Sequence, residues 1–292
     1  MTNPIFTNNP AFREPRRGGV MTAPTLGTAG ARTAPTLGTA GARTADAAAL
    51  EQMYGAPPAT ARETGRMTYD DVIVKTGGLL ALLLAVAGVT WFVAPQLFFV
   101  GMIVGLVLGL VNAFKKVPSP GLIIAYAVAQ GVFLGGLSYV VQAMVSTPGV
   151  AADSIVVQAL LATAATFVAA LLLFRSGKVR VTAKSVRFLL IAMAGYLVFS
   201  LVNVALVWFG GMDGWGLRSE VSVMGIPLGV LIGVFAVGLA AYSLIVDFDA
   251  IKRGVEQGVP ARFAWTAAFG LIVTLVWLYV EFLRIFAILR GD

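Results

Sequence analysis

Seven apolar runs dominate this chain of 292 residues. A helix needs about 20 mostly apolar residues to cross the hydrocarbon core of a membrane. Hydrophobic residues make up 58% of the chain and charged residues 12%, whereas soluble domains carry about 25% charged residues. The sequence therefore predicts an all-α polytopic membrane protein, built as a seven-transmembrane-helix bundle. The predicted spans are residues 77–94, 97–114, 121–146, 154–174, 186–210, 225–246 and 265–289.

Residues 1–66 differ in composition from residues 67–292, which hold all seven runs. The first part is rich in Ala, Gly, Thr, Pro and Arg and has few large apolar side chains, so it cannot bury enough surface to fold alone. An 11-residue unit occurs twice in it, as residues 22–32 and 33–43. Two copies are too few for a solenoid. We predict a disordered N-terminal tail that contains a duplication.

Local signals predict where two of the helices begin or end. Thr68 precedes the first apolar run and Asp71 follows three residues later, an arrangement similar to a capping box. Only Ala94-Pro95-Gln96 separates the first two runs, which predicts a tight hairpin.

Lys and Arg lie mostly in alternate connections between the spans. The tail and the connections after spans two, four and six hold 18 of the 21 basic residues, whereas the opposite connections hold Arg218 alone. Positive charge is retained on the cytoplasmic side of membranes. We expect a cytoplasmic N-terminus and a C-terminus outside. The net charge of +7 then reflects orientation, and we expect no nucleic-acid partner.

The chain has no Cys and no His. This excludes disulfides, imidazole catalysis and Cys/His metal sites. There is also no Gly-x-Ser-x-Gly motif. We therefore expect neither an enzyme nor a bound cofactor.

Asp247 and Asp249 lie at the end of the sixth apolar run. Carboxylates beside hydrocarbon are costly unless they are paired, hydrated or bound to a cation, so they are candidate ion or proton sites. Two positions apart on a helix, they point about 200° from each other. We expect one to be buried and the other wet. The alternative is an acidic helix end beside Lys252 and Arg253.

The seventh run contains Thr274, Glu281 and Arg284. Glu281 and Arg284 are three residues apart and can pair on one helix face. Glu281 lies about 24 Å along the helix from Trp265, which predicts an outer-leaflet salt bridge with Arg284 and no contact with Asp249.

The chain resembles the transmembrane Bax inhibitor motif family, in its bacterial YccA-like branch. The resemblance covers about residues 66 to 290 and depends on four motifs in order: Arg66-Met-Thr-Tyr-Asp-Asp71, Lys116-Val-Pro-Ser-Pro120, Ala125-Tyr-Ala-Val-Ala-Gln-Gly-Val-Phe-Leu-Gly-Gly136 and Asp247-Phe-Asp249 before the last apolar run. It implies a bacterial inner (plasma) membrane location and a seven-helix bundle with the last helix at the centre. It also implies a pH-sensitive calcium leak gated by two aspartates on helices six and seven.

Carried over by spacing, the first gating aspartate is Asp249, or Asp247 if helix six is shifted, and these acids are the possible calcium ligands. The second gating position is Thr274, which has no charge to titrate. The basic gate partner on helix two would be Lys115 or Lys116. Helix two carries no acid to pair with Arg284 in an outer closure, so Glu281 is the substitute.

Two functions are therefore predicted. The first is a cation leak, with calcium as the transported ion and Asp249 as an inner gate that protonation releases. The second is a regulator, without transport, of a membrane protease or a stress-response complex, with the basic tail as the contact. Deleting residues 1–66 would separate them, because a channel would keep its flux and a tail-dependent regulator would lose its effect.

Overall fold

A computed structural model describes residues 64–145, 154–211 and 215–291. The predicted disordered tail and its duplication lie outside these residues, apart from 64–66. All seven predicted spans are confirmed as helices long and apolar enough to cross a membrane. They are α1 Tyr69–Val93, α2 Phe98–Phe114, α3 Pro120–Val145, α4 Ile155–Arg175, α5 Ala183–Phe209, α6 Leu228–Glu256 and α7 Ala264–Gly291.

The last helix is the centre of the bundle. α7 packs against α1, α3, α4 and α6, and 67% of its most apolar window is buried, against 6% for α5. Its core side chains include Leu278, which has no exposed surface, and Ile272 and Leu283, which are each 1% exposed. The central position that the resemblance implied for this helix is confirmed.

The start of α1 and the hairpin after it are both as predicted. The Asp71 amide donates to Thr68 Oγ1 over 3.1 Å, and the Thr68 amide donates to Asp71 Oδ2 over 3.0 Å, so the capping box is complete. After Val93, a 3₁₀ turn at Pro95–Leu97 leads directly into α2. The fixed φ of proline suits this first helical position.

Small residues of α3 let this helix lie close to α1 and to the hairpin. A Cβ atom on Gly131 would come within 2.7 Å of the Leu83 carbonyl oxygen and of Val86 Cβ. Gly101 and Gly105 of α2 are buried against the other side of α3. Close approach of this kind provides the van der Waals contact that joins helices in membranes.

The chain segment before α1 is fixed to the connection between α6 and α7. The Met67 amide donates to the Val259 carbonyl over 2.7 Å, and the Ala261 amide donates to the Gly65 carbonyl over 2.8 Å. The Met67 side chain is buried against Gly254. Residues on both sides of the boundary predicted between 66 and 67 are thus held by this connection.

The connection from α5 to α6 contains a one-turn helix, Leu217–Glu220, and a small antiparallel hairpin of β1 Ser222–Val223 and β2 Ile226–Pro227. Met224 and Gly225 form its turn with φ of 55° and 81°. Gly225 therefore lies outside α6, and the predicted start of span six at this residue was wrong.

The sixth span also ends later than the apolar run predicted. α6 continues through Asp247 and Asp249 to Glu256, about 10 Å beyond Asp249 at 1.5 Å per residue. The polar residues after the run continue the helix because they carry good helix formers and the Asp249–Arg253 pair four residues apart. Both acids are consequently inside a helix and not at its end.

Candidate functional site

The α6–α7 contact contains one of the two sequence-predicted acids. Thr274 Oγ1 donates to Asp247 Oδ2 over 2.9 Å and also approaches the Gly270 carbonyl oxygen at 3.2 Å. Gly270 leaves room beside the carboxylate, because a Cβ atom there would stand 3.7 Å from Asp247 Oδ1. Asp247 is thus the acid that faces the central helix.

Asp249 faces away from this contact, as a 200° separation requires. Its carboxylate pairs with Arg253 one turn later, with 3.0 Å between Oδ2 and Nη2. Its side chain is only 22% exposed, and Asp247 is also half-buried. Both acids therefore have intermediate exposure, and the clear difference between them is in their partners.

The predicted gate lysines do not meet Asp249 in the described part of the chain. Lys115 and Lys116 are exposed where α2 ends, whereas the ion pair of Asp249 is with Arg253 of its own helix. The structure also brings Thr274 to Asp247, the second choice from sequence, instead of Asp249. The reason is helical rotation, because α6 continues without a break and turns Asp249 away from α7.

A second polar group, which we call the arginine cluster, lies farther along α7. It consists of Tyr196, Arg218, Glu281 and Arg284. Glu281 is 1% exposed and forms the predicted ion pair with Arg284. It also accepts hydrogen bonds from the Tyr196 hydroxyl and from Trp277 Nε1. The predicted pairing is confirmed, but Glu281 is enclosed by protein on all sides.

Arg218 was not predicted to join this group. It is 4% exposed, and its Nη2 donates to Ser200 Oγ over 2.8 Å and to the Tyr196 hydroxyl over 3.4 Å. Its guanidinium also lies over the rings of Tyr196 and Phe199. The available sequence signal was that Arg218 is the lone basic residue in the connections between spans on its side. Tyr196 carried no comparable signal.

Buried apolar side chains separate the Asp247 contact from the arginine cluster. Thr274 and Glu281 are about 10 Å apart along the axis of α7. Between them lie Leu275 and Leu278, both buried, and Leu278 packs in one cluster with Leu244 of α6. Apolar side chains therefore lie between the two polar groups along α7.

The acids do not form a preassembled metal centre. Among the described residues, no three His, Cys, Asp or Glu side chains lie together. Stable calcium sites use six to eight oxygen ligands, whereas the Asp247 contact offers one carboxylate and one hydroxyl. The donor set at this contact is therefore smaller than that of a stable calcium site.

The family model described as Bax inhibitor 1 like matches residues 3–291, which is nearly the whole chain. The chain belongs to the Bax inhibitor 1 like family. No curated protein matches the chain significantly.

This membership agrees with the seven spans and the central last helix. The bundle departs from the two-acid pattern that the resemblance implied, because Thr274 holds the place of the second acid and meets Asp247 as a neutral donor. Farther along α7, Glu281 pairs with Arg284 from the same helix. This is the pairing expected if Glu281 replaces the acid that α2 lacks.

Proposed function

We propose that this multi-pass membrane protein is a pH-sensitive cation leak, with calcium as the transported ion and Asp247 as the acid that controls it. The observation that carries the proposal is the hydrogen bond of 2.9 Å from Thr274 to Asp247, which joins α6 to the central helix. Acids within membrane spans mark ion or proton sites by default. We propose no catalytic activity and no cofactor.

The proposed gate works through the charge on Asp247. A carboxylate accepts a stronger hydrogen bond than a neutral acid does. The ionised form therefore holds Thr274 and keeps α6 against α7, whereas protonation weakens this bond. The flux is expected to rise as pH falls, because the fraction of protonated Asp247 rises.

Orientation completes the proposal. The distribution of Lys and Arg supports a cytoplasmic N-terminus, and we propose the plasma membrane of a bacterium as the location. With seven spans, a cytoplasmic N-terminus implies a C-terminus outside. The Asp247 contact then lies toward the cytoplasmic side, and the arginine cluster lies toward the outside.

Calcium flux into liposomes that contain the purified full chain tests this function. Flux is measured from about pH 6 to about pH 8, a range in which buried carboxylates can change charge. Asp247→Asn fixes a neutral side chain, so its flux at the upper pH should match that of the wild type at the lower pH. Asp249→Asn is the matched control and should keep the pH dependence.

Equal pH profiles for the wild type and Asp247→Asn would refute the gate. Flux no higher than in empty liposomes, for every form, would refute the leak itself.

One observation supports the second function, regulation of a membrane protease or stress complex. The residues that join the tail to α1 are hydrogen-bonded to the α6–α7 connection, so a partner that holds the tail would act directly on this connection. Deleting residues 1–63 keeps Gly65 and Met67 in place. Under the leak proposal the flux is unchanged, whereas a regulator would lose its effect on its partner.

A further inference from the structure

A cavity of about 270 Å³ lies beside the arginine cluster. It is enclosed by the end of α5, the connection to α6 and the last third of α7. Its lining includes Ser200, Asn203, Trp208, Trp215, Arg218 and Arg284. The proposed leak does not involve this cavity.

The cluster beside the cavity has an uncompensated positive charge. Arg218 and Arg284 are 4% and 8% exposed, and Glu281 is the one buried acid that faces them in the described part of the chain. Glu220, the nearest acid on the one-turn helix, is exposed. A buried charge that lacks a partner is costly, so the site favours a ligand that supplies one more negative charge.

The two guanidinium groups also retain unused donors. The Nε–H of Arg218 and that of Arg284 are buried without an acceptor among the described residues. The described hydrogen bonds of Arg218 are to the neutral hydroxyls of Ser200 and Tyr196. Guanidinium groups present donors in a planar fork that matches oxyanions.

The surroundings of the cavity are those of a lipid interface. Val204 and Trp208 line it and are exposed on α5, the least buried of the membrane helices. Trp215 borders it from the connection to α6. Trp side chains prefer the level of the lipid headgroups, where phosphates lie.

We propose that this cavity binds a phosphate-type oxyanion between Arg218 and Arg284, with the apolar wall of α5 beside it. The same chemistry is offered by the headgroup of an anionic phospholipid and by free phosphate. The ligand neutralises the excess charge of the cluster and holds the end of α5, through Arg218, against α7.

Native mass spectrometry of the full chain in detergent tests this site. The probes are phosphatidylglycerol, phosphatidylcholine and inorganic phosphate. Arg218→Gln should weaken binding of the anionic probe about tenfold, because one charge-assisted contact is lost. Arg187→Gln, at an exposed arginine near the start of α5, is the control and should leave binding unchanged.

Two further variants separate binding from folding. Glu281→Gln removes the competing carboxylate, so it should strengthen binding of the anion. Arg218→Lys keeps the charge without the fork and should give an intermediate affinity. Thermal unfolding without probe identifies any variant that has failed to fold. If Arg218→Gln fails to fold, the affinities of Glu281→Gln and Arg218→Lys test the proposal instead.

The pattern of binding identifies the source of the oxyanion. Binding of phosphatidylglycerol that excess phosphate does not displace supports a lipid headgroup, and displacement supports a free anion. Equal binding of phosphatidylglycerol and phosphatidylcholine, with no change in folded Arg218→Gln or Glu281→Gln, would overturn the proposal and leave the cluster as internal structure alone.

Discussion

At the scale of single residues, the chemistry of Thr274 determines how Asp247 is held. A hydroxyl donates to an ionised carboxylate without carrying a charge of its own, whereas a second aspartate would repel an ionised Asp247 and share its proton. The hydrogen bond of 2.9 Å from Thr274 to Asp247 therefore does not depend on a proton shared between two carboxyl groups. The hydrogen bond between Thr274 and Asp247 thus contains a single titratable group.

Removing that hydroxyl tests its contribution directly. Thr274→Val should destabilise the fold by about 0.6 kcal/mol, the average for hydrogen bonds between membrane helices, and should raise calcium flux at the upper end of the pH range. Thr163→Val is the matched control, because the buried Thr163 hydroxyl donates to the Ala159 carbonyl of its own helix. Thermal unfolding and liposome flux are the measurements. Equal flux from both variants would argue against a gating role for Thr274.

At the scale of the elements, glycine positions determine which helices come close together. Gly225, Gly229 and Gly233 follow one another at four-residue spacing, and the last two lie against Ile288 and Ile285 of α7. The third member, Gly225, lies instead in the β-hairpin turn. Sequence spacing could not show this, because the apolar run continues through the hairpin without a break.

Filling one of these close contacts should separate the helices. Gly131→Leu would force a side chain into the Leu83 carbonyl and Val86, and such overpacking costs about 1–3 kcal/mol. Gly195→Leu is the control, since Gly195 is exposed on α5 with no atom within 4 Å of its Cβ position. We expect a lower Tm for Gly131→Leu alone. The same Tm for both variants would contradict the α1–α3 contact.

At the scale of the whole molecule, the segment before α1 is hydrogen-bonded to the loop between α6 and α7. Two backbone hydrogen bonds and the buried Met67 side chain hold these distant segments together. Lys75 adds a contact over the ring of Trp265. These contacts together support the first and last helices at the end of the bundle where Asp247 lies.

Weakening this support should loosen the α6–α7 connection first. Met67→Ala removes a side chain that is 4% exposed, and truncation of a buried Met costs about 2–5 kcal/mol. Hydrogen exchange of the Ala261 amide, which bonds to Gly65, should accelerate. Met144→Ala, at a residue 72% exposed, should leave this exchange unchanged. Unchanged exchange in Met67→Ala would show that the connection is held without it.

The sequence by itself determined the seven spans, the capping box and the pairing of Glu281 with Arg284. These depend on local quantities: hydrophobic length, cap spacing and positions three residues apart on one helix. The tertiary structure alone decided that Asp247 faces Thr274, that Arg218 joins Tyr196 and Glu281, and that Lys115 stays exposed. Those outcomes depend on the rotation of α6 and on how separate helices approach one another, and no spacing within one segment encodes either.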